Sequence, residues 1–269
     1  MRWAATSVPN TTTDKTPGLR NLDDLLTRHS DSSVGRRWRL WRDWGAPREV
    51  VRWIRYGVLL PFADRLPPPT SRKSSPPRSP HEEADRTGLV DKLVAKGHVV
   101  MSESDMYASP FWAEPKKDEH GQIRPGKSRF LHDFTALNAF LVKKQTRYES
   151  LRALPSLARP GDWASCLDLT DFFYSIPLHP SHRKYVSFVH RGQAYEFCCL
   201  PMGLSLSPFF CTKITRWVLS LLRGKGMRIL WYVDDILLVA NKNRIREQTS
   251  QLRQILTRLG FTINPDKGF

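Results

Sequence analysis

The sequence is short of cysteine, of acidic side chains and of long apolar runs, and each shortage excludes a class of protein. Its four cysteines form no C-x-x-C pair, which argues against a disulfide framework and a zinc module and predicts a reducing, intracellular location. The most apolar stretch, residues 229–240, is interrupted by Asp234 and Asp235 and is shorter than the roughly 18 residues that span a membrane. The first ten residues lack the apolar core of a secretory signal, so no membrane partner and no secretion are predicted.

The charge balance is strongly basic. Forty-two Lys and Arg residues stand against 26 Asp and Glu residues, which gives a net charge of +16 and a pI of about 10.0. This balance is typical of a protein that binds a polyanion, and nucleic acid is the first partner to expect. The length of 269 residues is enough for one large domain or two small ones with a sizeable core.

Composition divides the chain into four segments. Residues 1–32 are rich in Thr, Ser, Asp and Asn without a sustained period, which predicts a disordered leader. Residues 33–60 alternate Trp with Arg and are predicted to be a basic helical segment, which either docks on the following domain or faces nucleic acid and stacks bases on Trp. Residues 61–80 hold seven of the 20 prolines and are predicted to be an extended linker. Residues 81–269 have the pattern of a compact domain.

Helical and strand patterns alternate along the compact domain. Ser207 is the predicted N-cap of a central helix, with Pro208 at the first helical position. The order of elements predicts an α+β fold, a sheet with its helices on one face. In chain order we expect a helix over 82–96, strands over 111–114, 129–134 and 165–169, a hairpin over 186–198, a helix over 207–224, a strand-turn-strand over 228–240, a helix over 244–259 and a strand over 261–263.

The sharpest feature is a pair of adjacent carboxylates, Asp234 and Asp235, between two apolar strands. On its own such a pair can simply turn a hairpin, because short acceptors bond to nearby backbone. Asp168 lies in another apolar run 66 positions before Asp234 (234 − 168), so the three carboxylates converge if the strands are neighbours. Carboxylates packed together repel each other unless a cation neutralises them. Oxygen ligands favour magnesium, and two such ions promote in-line phosphoryl transfer.

Three motifs resemble, in order, those of reverse transcriptases. They are L-D-L-T-D-F-F-Y-S-I from Leu167, L-P-M-G-L-S-L-S-P from Leu200 and Y-V-D-D from Tyr232. Residues 109–117 and 129–138 resemble the fingers blocks of the same enzymes. The order of the motifs, as well as their residues, therefore resembles this family.

The resemblance extends over roughly residues 82–269 and implies the fingers and palm of a right-hand polymerase, with an antiparallel palm sheet. It implies an RNA-directed DNA polymerase of a retroelement. Such an enzyme adds deoxynucleotides from dNTPs to the 3′-hydroxyl of a DNA or RNA primer on an RNA template. Residues 44–47 together with 53–62 resemble the leader of retrotransposon polymerases, in particular the tyrosine-recombinase (DIRS-like) kind.

Carried over to this sequence, the resemblance implies a metal site. It makes Asp168 and Asp234 the metal ligands, with Asp235 a third carboxylate at the site and the Leu169 carbonyl a further ligand. Two magnesium ions are the implied cofactor, with manganese as the alternative. In this chemistry the protein mainly positions the reactants and neutralises charge.

The resemblance also implies residues that bind the incoming nucleotide. Phe173 matches an aromatic gate whose ring would clash with a ribose 2′-hydroxyl, although a Phe in this apolar stretch can equally be a core residue. Arg129 and Lys116 match side chains that contact the triphosphate, and as isolated charges they would be solvated surface groups. Met202 stands where retroviral enzymes have Gln, so its contact with the sugar would use apolar atoms or backbone.

The last residues, 264–269, stand where a primer-gripping hairpin and a thumb are expected, and no RNase H follows. We therefore expect either a piece of a longer polyprotein that supplies these parts or a decayed copy, with weak primer binding in both cases. Two rival functions remain. An RNA-templated RNA polymerase shares the paired Asp residues, but Phe173 argues against it. A catalytically silent nucleic-acid-binding remnant is favoured by the missing thumb.

Overall fold

The computed structural model describes residues 34–265, so the predicted leader, residues 1–32, lies outside the described residues. Its helices are α1 (Trp38–Asp43), α2 (Arg48–Tyr56), α3 (Pro80–Ala95), α4 (Thr135–Asn138), α5 (Leu154–Leu157), α6 (Ser207–Gly224) and α7 (Ile245–Arg258). Its strands are β1 (Val99–Ser102), β2 (Phe111–Lys117), β3 (Ile123–His132), β4 (Asp162–Thr170), β5 (Ser187–His190), β6 (Gln193–Phe197), β7 (Arg228–Tyr232), β8 (Asp235–Asn241) and β9 (Thr262–Ile263). Short 3₁₀ helices cover Val34–Arg37, Leu151–Ala153, Phe173–Ser175 and Pro180–Val186.

The described strands form three antiparallel sheets. Strands β2 and β3 make a hairpin, β1, β6 and β5 make a three-stranded sheet in that order, and the largest sheet has the order β7, β8, β4, β9. From β4 onward the elements follow the predicted order of strand, hairpin, helix, hairpin, helix and strand, and the α+β class is confirmed. None of the helices in residues 34–265 is both long and apolar enough to cross a lipid bilayer.

Helix α6 forms the core behind the four-stranded sheet. Phe210, Ile214, Val218 and Leu222 recur at every fourth position and are all buried. This spacing places the four side chains on one side of the helix. The helix contacts β7, while α7 contacts β4, β8 and β9. Two amphipathic helices thus support the sheet that carries the carboxylates.

The tryptophans of the N-terminal helices pack into this core. Trp41 on α1 is fully buried, its ring centroid lies 5.1 Å from that of Trp217, and its indole N–H donates to the Leu259 carbonyl at 3.0 Å. Trp53 on α2 meets Phe210 edge to face at 5.0 Å between centroids. A buried Trp needs such a partner for its N–H. These rings therefore contact the domain and are not presented for base stacking.

The proline-rich segment follows the surface of the domain. Residues 61–79 contain no helix or strand, in keeping with their composition. The backbone N–H of Arg72 donates to the Ala108 carbonyl at 2.7 Å, and the N–H of Phe111 donates to Ser74 Oγ at 2.8 Å. The segment predicted as a linker is thereby hydrogen bonded to the start of β2.

The start of α6 differs from the prediction. The N-cap is Leu206, and Ser207 is already helical and makes no capping hydrogen bond. The Ser207 hydroxyl donates instead to the Pro201 carbonyl at 2.7 Å. Ser207 is buried, and buried polar groups take the hydrogen-bond partner that lies within reach. The predicted N-cap is wrong because the Ser207 hydroxyl donates to the Pro201 carbonyl and does not accept from an N–H group of the first helical turn.

Candidate active site

Strand β4 and the β7–β8 hairpin bring the three Asp residues of the sequence motifs together. Asp168 on β4 is the register partner of Asp235 on β8. The Leu169 N–H donates to the Asp234 carbonyl at 2.9 Å, which ties the turn to β4. Directly opposite residues in an antiparallel pair point to the same face, with Cβ atoms about 5 Å apart. Asp168 and Asp235 therefore share a face at this end of the sheet, and Asp234 lies beside them in the turn.

The turn that carries Asp234 is strained. Val233 has φ of 54°, in the left-handed region, where a β-branched residue is an outlier. A positive φ at the first central position but not at the second, Asp234, is typical of a type II′ turn, which normally has Gly at the first position. Such strain costs about 1–3 kcal/mol and persists only where the surroundings impose it. Here the Trp231 indole N–H donates to the Val233 carbonyl at 2.7 Å and holds the turn.

The Leu169 carbonyl points to the side of β4 on which the β7–β8 turn lies. The N–H and C=O of one strand residue point to the same neighbouring strand, and the Leu169 N–H points to the turn. The β9 side of β4 is used instead by Asp168, whose carbonyl accepts from the Asn264 N–H at 2.8 Å. The backbone oxygen of Leu169 therefore adds a third oxygen donor next to Asp168 and Asp234.

The donor set suits a hard divalent cation that keeps part of its own hydration. Within residues 34–265, no three Asp, Glu, His or Cys side chains form a cluster that could hold a metal on their own. Magnesium is usually bound through one or two carboxylates together with substrate phosphates and water. Two carboxylates and a backbone carbonyl at a half-exposed strand end fit that pattern. They do not form a closed structural metal site in which the protein supplies every ligand.

Asn264 supports Asp168 and was not identified from the sequence. Its side-chain Nδ2 donates to Asp168 Oδ2 at 3.0 Å, in addition to the backbone bond described above. The two residues are 96 positions apart and meet because β9 pairs with β4. No local pattern marks an Asn as a partner of a distant carboxylate. A second hydrogen bond fixes the orientation of the Asp168 carboxylate.

If the chain has the polymerase activity that the sequence motifs imply, Asn264→Ala is expected to lower the rate of nucleotide addition roughly tenfold, because loss of a hydrogen bond that supports a metal-ligating carboxylate typically costs 10–100-fold. The backbone bond to Asp168 remains, so the fold should be unchanged. Single-nucleotide addition at several magnesium concentrations is the measurement, and the magnesium requirement should rise. Asn241→Ala, at the opposite end of β8, is the matched control. Equal losses in the two variants would contradict the assignment.

A second charged cluster follows β4. Asp171 has φ of 55°, and its Oδ2 accepts from Lys96 Nζ and lies 3.4 Å from His98 Nε2. Burial alone raises the pKa of Asp171, but the hydrogen bonds and charges of His98 and Lys96 outweigh burial and lower this pKa to about 2. The carboxylate is therefore ionised at neutral pH. The His98 ring also stacks on Tyr174, with centroids 4.9 Å apart.

Asp171→Asn should lower the free energy of unfolding by about 1 kcal/mol at pH 7, a figure reduced for partial solvent exposure. A depressed folded-state pKa adds stability above the unfolded value near 4, and this stability is lost as the pH falls toward about 2. The difference from wild type should therefore shrink at pH 3. Urea unfolding at both pH values is the measurement. The exposed Asp91→Asn is the control, and an equal pH dependence in it would contradict the prediction.

Phe173 lies beside the carboxylate turn. It begins the 3₁₀ helix after β4, is half-buried, and lines a cavity of about 150 Å³ together with Trp231 and Val233. Glu149 lines the same cavity. Its carboxylate accepts from the backbone N–H of Trp231 at 3.1 Å and from the Arg223 guanidinium at 2.8 Å. Glu149 thus occupies the open edge of β7 and is a second supporting residue that the sequence did not reveal.

The remaining predicted substrate residues lie outside this cluster. Arg129 on β3 is the register partner of Glu114 on β2, and its side chain is exposed. Lys116 is exposed on β2, next to the irregular register at Pro115. The β2–β3 hairpin is a separate sheet from the one that carries the carboxylates. The structure therefore places both cations on the fingers hairpin and does not join them to the Asp cluster.

Met202 lies in the loop between β6 and α6 and is 45% exposed. The next residue, Gly203, has φ of 88°, and a Cβ there would come within 2.8 Å of the His132 carbonyl, so only Gly fits. Asn138 holds the loop, since its Nδ2 donates to the Gly203 carbonyl at 3.1 Å and its Oδ1 accepts from the Ser205 N–H at 2.9 Å. These contacts keep the Met202 side chain turned to solvent.

Residues 114–268 match the family model described as reverse transcriptase (RNA-dependent DNA polymerase). The match covers more than half of the chain and includes β4, the strained turn and α6. The chain belongs to the reverse transcriptase family.

Curated relatives in the reverse transcriptase family are retroviral polyproteins. The chain is 33% identical over 192 residues to the Gag-Pol polyprotein of Rous sarcoma virus subgroup B (strain Schmidt-Ruppin) and 32% identical over 189 residues to the Gag-Pro-Pol polyprotein of Mason-Pfizer monkey virus. These matches cover 67% and 66% of this chain but only 11% and 10% of the polyproteins. The chain thus spans about a tenth of their length. These relatives do not confirm the DIRS-like subtype, which stays a prediction.

Solved structures agree with a reverse transcriptase fold. Two crystal structures of the prototype foamy virus protease-reverse transcriptase superpose with TM-scores of 0.63 and 0.59, each at 24% identity. Each superposition covers 78% of this chain and 26% of the foamy virus chain. The fingers and palm architecture expected from the sequence motifs is therefore confirmed.

Proposed function

We propose that this chain is the RNA-directed DNA polymerase domain of a retroelement. It extends the 3′-hydroxyl of a DNA or RNA primer with dNTPs on an RNA template, inside the cell. One observation carries the proposal: in a member of the reverse transcriptase family, the strained turn ties Asp234 to β4 next to Asp168, and Phe173 and Val233 line a cavity there. Since the relatives are long polyproteins, we also propose that the thumb and RNase H regions come from a longer polyprotein.

The chemistry proposed for this site is nucleotidyl transfer assisted by metal. Asp168, Asp234 and the Leu169 carbonyl would hold two magnesium ions, or manganese, which would supply positive charge to the 3′-hydroxyl and the leaving pyrophosphate. Asn264 holds the Asp168 carboxylate in one orientation. Asp235 adds a third negative charge on the same strand pair.

The fingers residues are proposed to bind the triphosphate. The guanidinium of Arg129 can grip phosphate oxygens in a bidentate way, and Lys116 adds a point charge. Both side chains are exposed on the β2–β3 hairpin. Their role therefore requires that the bound nucleotide lie between this hairpin and the carboxylates.

Phe173→Ala is expected to raise the use of ribonucleotides relative to deoxynucleotides by roughly 10–100-fold, because a clash between the ring and the 2′-hydroxyl is removed. Phe173 is half-buried at the cavity wall, so the ring is placed to meet a sugar. The ratio of kcat/KM for a matched ribonucleotide and deoxynucleotide is the measurement. Phe140→Ala, another half-buried Phe, is the control. An unchanged ratio would mean that Phe173 is only a core residue.

The function itself is tested by primer extension. The chain is mixed with magnesium, dNTPs and a DNA primer annealed to an RNA template, both alone and fused to the segment that follows this region in its retroviral relatives. Incorporation of label by either form supports the proposal. If both forms bind the duplex but remain silent, the chain is a nucleic-acid-binding remnant. Preference for ribonucleotides would instead indicate an RNA polymerase.

A further inference from the structure

The N-terminal helices present a continuous basic surface, which we call the arginine face. Helix α2 contributes Arg48, Arg52 and Arg55, whose spacing of four and three residues puts them on one side of the helix. The opposite side of α2 buries Val50 and Ile54. Helix α1 adds Arg39 and Arg42, and all five arginines are exposed.

Trp38 joins the two helices into one surface. The guanidinium carbon of Arg55 lies 4.1 Å from the Trp38 ring centroid, and those of Arg39 and Arg42 lie at 4.9 and 5.4 Å. Cation–π contacts of this kind restrain flexible side chains. Trp41 and Trp53 pack inward. The Tyr56 ring at the end of α2 is 53% exposed, with the Arg55 guanidinium carbon 4.7 Å from its centroid.

The charge of this surface is only slightly offset. Residues 34–56 contain seven arginines and two acidic residues, a net of +5 (7 − 2). One of the acids, Asp43, pairs with Arg42 at 2.7 Å. The helices are also held rigidly, since Trp41 is anchored to Leu259 and Trp217. The helix backbones that carry the arginines are therefore held in place before any ligand binds.

We propose that the arginine face binds the phosphate backbone of nucleic acid at a second site, separate from the carboxylate cluster. Guanidinium groups bind phosphate oxygens with two parallel hydrogen bonds, and rigid presentation reduces the entropy lost on binding. Contacts to phosphates carry no sequence information, so binding through these arginines is independent of base sequence. The carboxylates lie on β4 and the β7–β8 turn, whereas this face is built from α1 and α2. The proposed polymerase function supplies a nucleic acid ligand, and the second site goes beyond that function.

The test measures binding of a labelled RNA strand and a DNA duplex, each about 30 nucleotides long, by fluorescence anisotropy between about 50 and 200 mM salt. Arg48→Gln/Arg52→Gln/Arg55→Gln is compared with Lys242→Gln/Arg244→Gln/Arg246→Gln, which removes the same charge from exposed positions at the far end of the large sheet. Both variants also carry Asp234→Asn. The assay then measures binding without catalysis, so a negative result bears on the arginine face and not on the proposed polymerase function.

We expect the α2 variant to bind about tenfold more weakly and to lose about 2 from the slope of log affinity against log salt. The control variant should lose much less, and probes of different sequence should behave alike. Arg48→Gln/Arg52→Gln leaves the Trp38 contacts intact and should lose about two-thirds as much slope as the triple variant, which guards against an effect of misfolding. Equal losses in both triple variants, or an unchanged slope, would overturn the proposal. The proposal would also be overturned if the α2 variant lost binding to anionic lipid vesicles but still bound RNA as tightly as before.

Discussion

Asp234→Asn is expected to reduce nucleotide addition about a thousandfold or more while primer–template binding is retained. The substitution keeps the shape of the side chain and removes its charge, so the proposed metal ligand is weakened without a cavity. A thousandfold loss corresponds to about 4 kcal/mol of transition-state stabilisation, within the several kcal/mol that metal ions supply in phosphoryl transfer. The turn should keep its shape, because it is held by the Leu169 N–H and the Trp231 indole through backbone carbonyls.

The measurement combines single-nucleotide addition with anisotropy of a labelled primer–template. The exposed Asp64→Asn is the matched control, since it makes the same chemical change away from the sheet. The control should keep wild-type activity. If Asp234→Asn retains more than about a tenth of the activity, Asp234 is a turn residue and not a metal ligand. The proposed metal site would then depend on Asp168.

Trp41→Ala is expected to lower the free energy of unfolding by roughly 3–5 kcal/mol, the usual cost of truncating a fully buried aromatic side chain. Trp41 has no exposed surface, touches Trp217 and Phe261, and donates its N–H to the Leu259 carbonyl. Truncation would leave both a cavity and an unsatisfied carbonyl. Such a loss is a large fraction of the 5–15 kcal/mol that stabilises a typical domain.

Urea unfolding of the purified chain measures this loss. Trp163→Ala, at a Trp that is 54% exposed, is the matched control and should cost less than about 1 kcal/mol. Trp41→Phe should fall between the two, because a phenyl ring fills much of the site while the indole hydrogen bond is lost. A cost for Trp41→Ala no larger than that of the control would show that the N-terminal helices are only loosely attached.

The same substitution should also affect activity in the folded molecules. Trp41 contacts Phe261, and the ring centroid of Phe261 lies 5.8 Å from that of Trp231. The Trp231 indole in turn holds the strained turn. The N-terminal helices are thus linked to the carboxylate turn by three aromatic rings in contact. We expect Trp41→Ala to reduce nucleotide addition even at temperatures where the variant is fully folded.

Local features of this protein were readable from the sequence because they depend on neighbours along the chain. The apolar stripe of α6 follows from a repeat of four residues. The turn at Arg191 and Gly192 has φ values of 49° and 78°, as a two-residue hairpin with Gly requires. The Tyr232 to Asp235 motif likewise predicted a strand-turn-strand and, by resemblance, the reverse transcriptase family. Each of these patterns lies within a few positions.

The tertiary structure decided everything that joins distant segments. Strand β4 lies between β8 and β9, and only this order lets Asn264 support Asp168 across 96 positions. The partnerships of Glu149 with Trp231, 82 positions apart, and of Trp41 with Leu259, 218 apart, are of the same kind. Loop-closure entropy depends only weakly on length, so the sequence between two segments does not select which of them meet. That choice follows from strand register and core packing, which are properties of the whole fold.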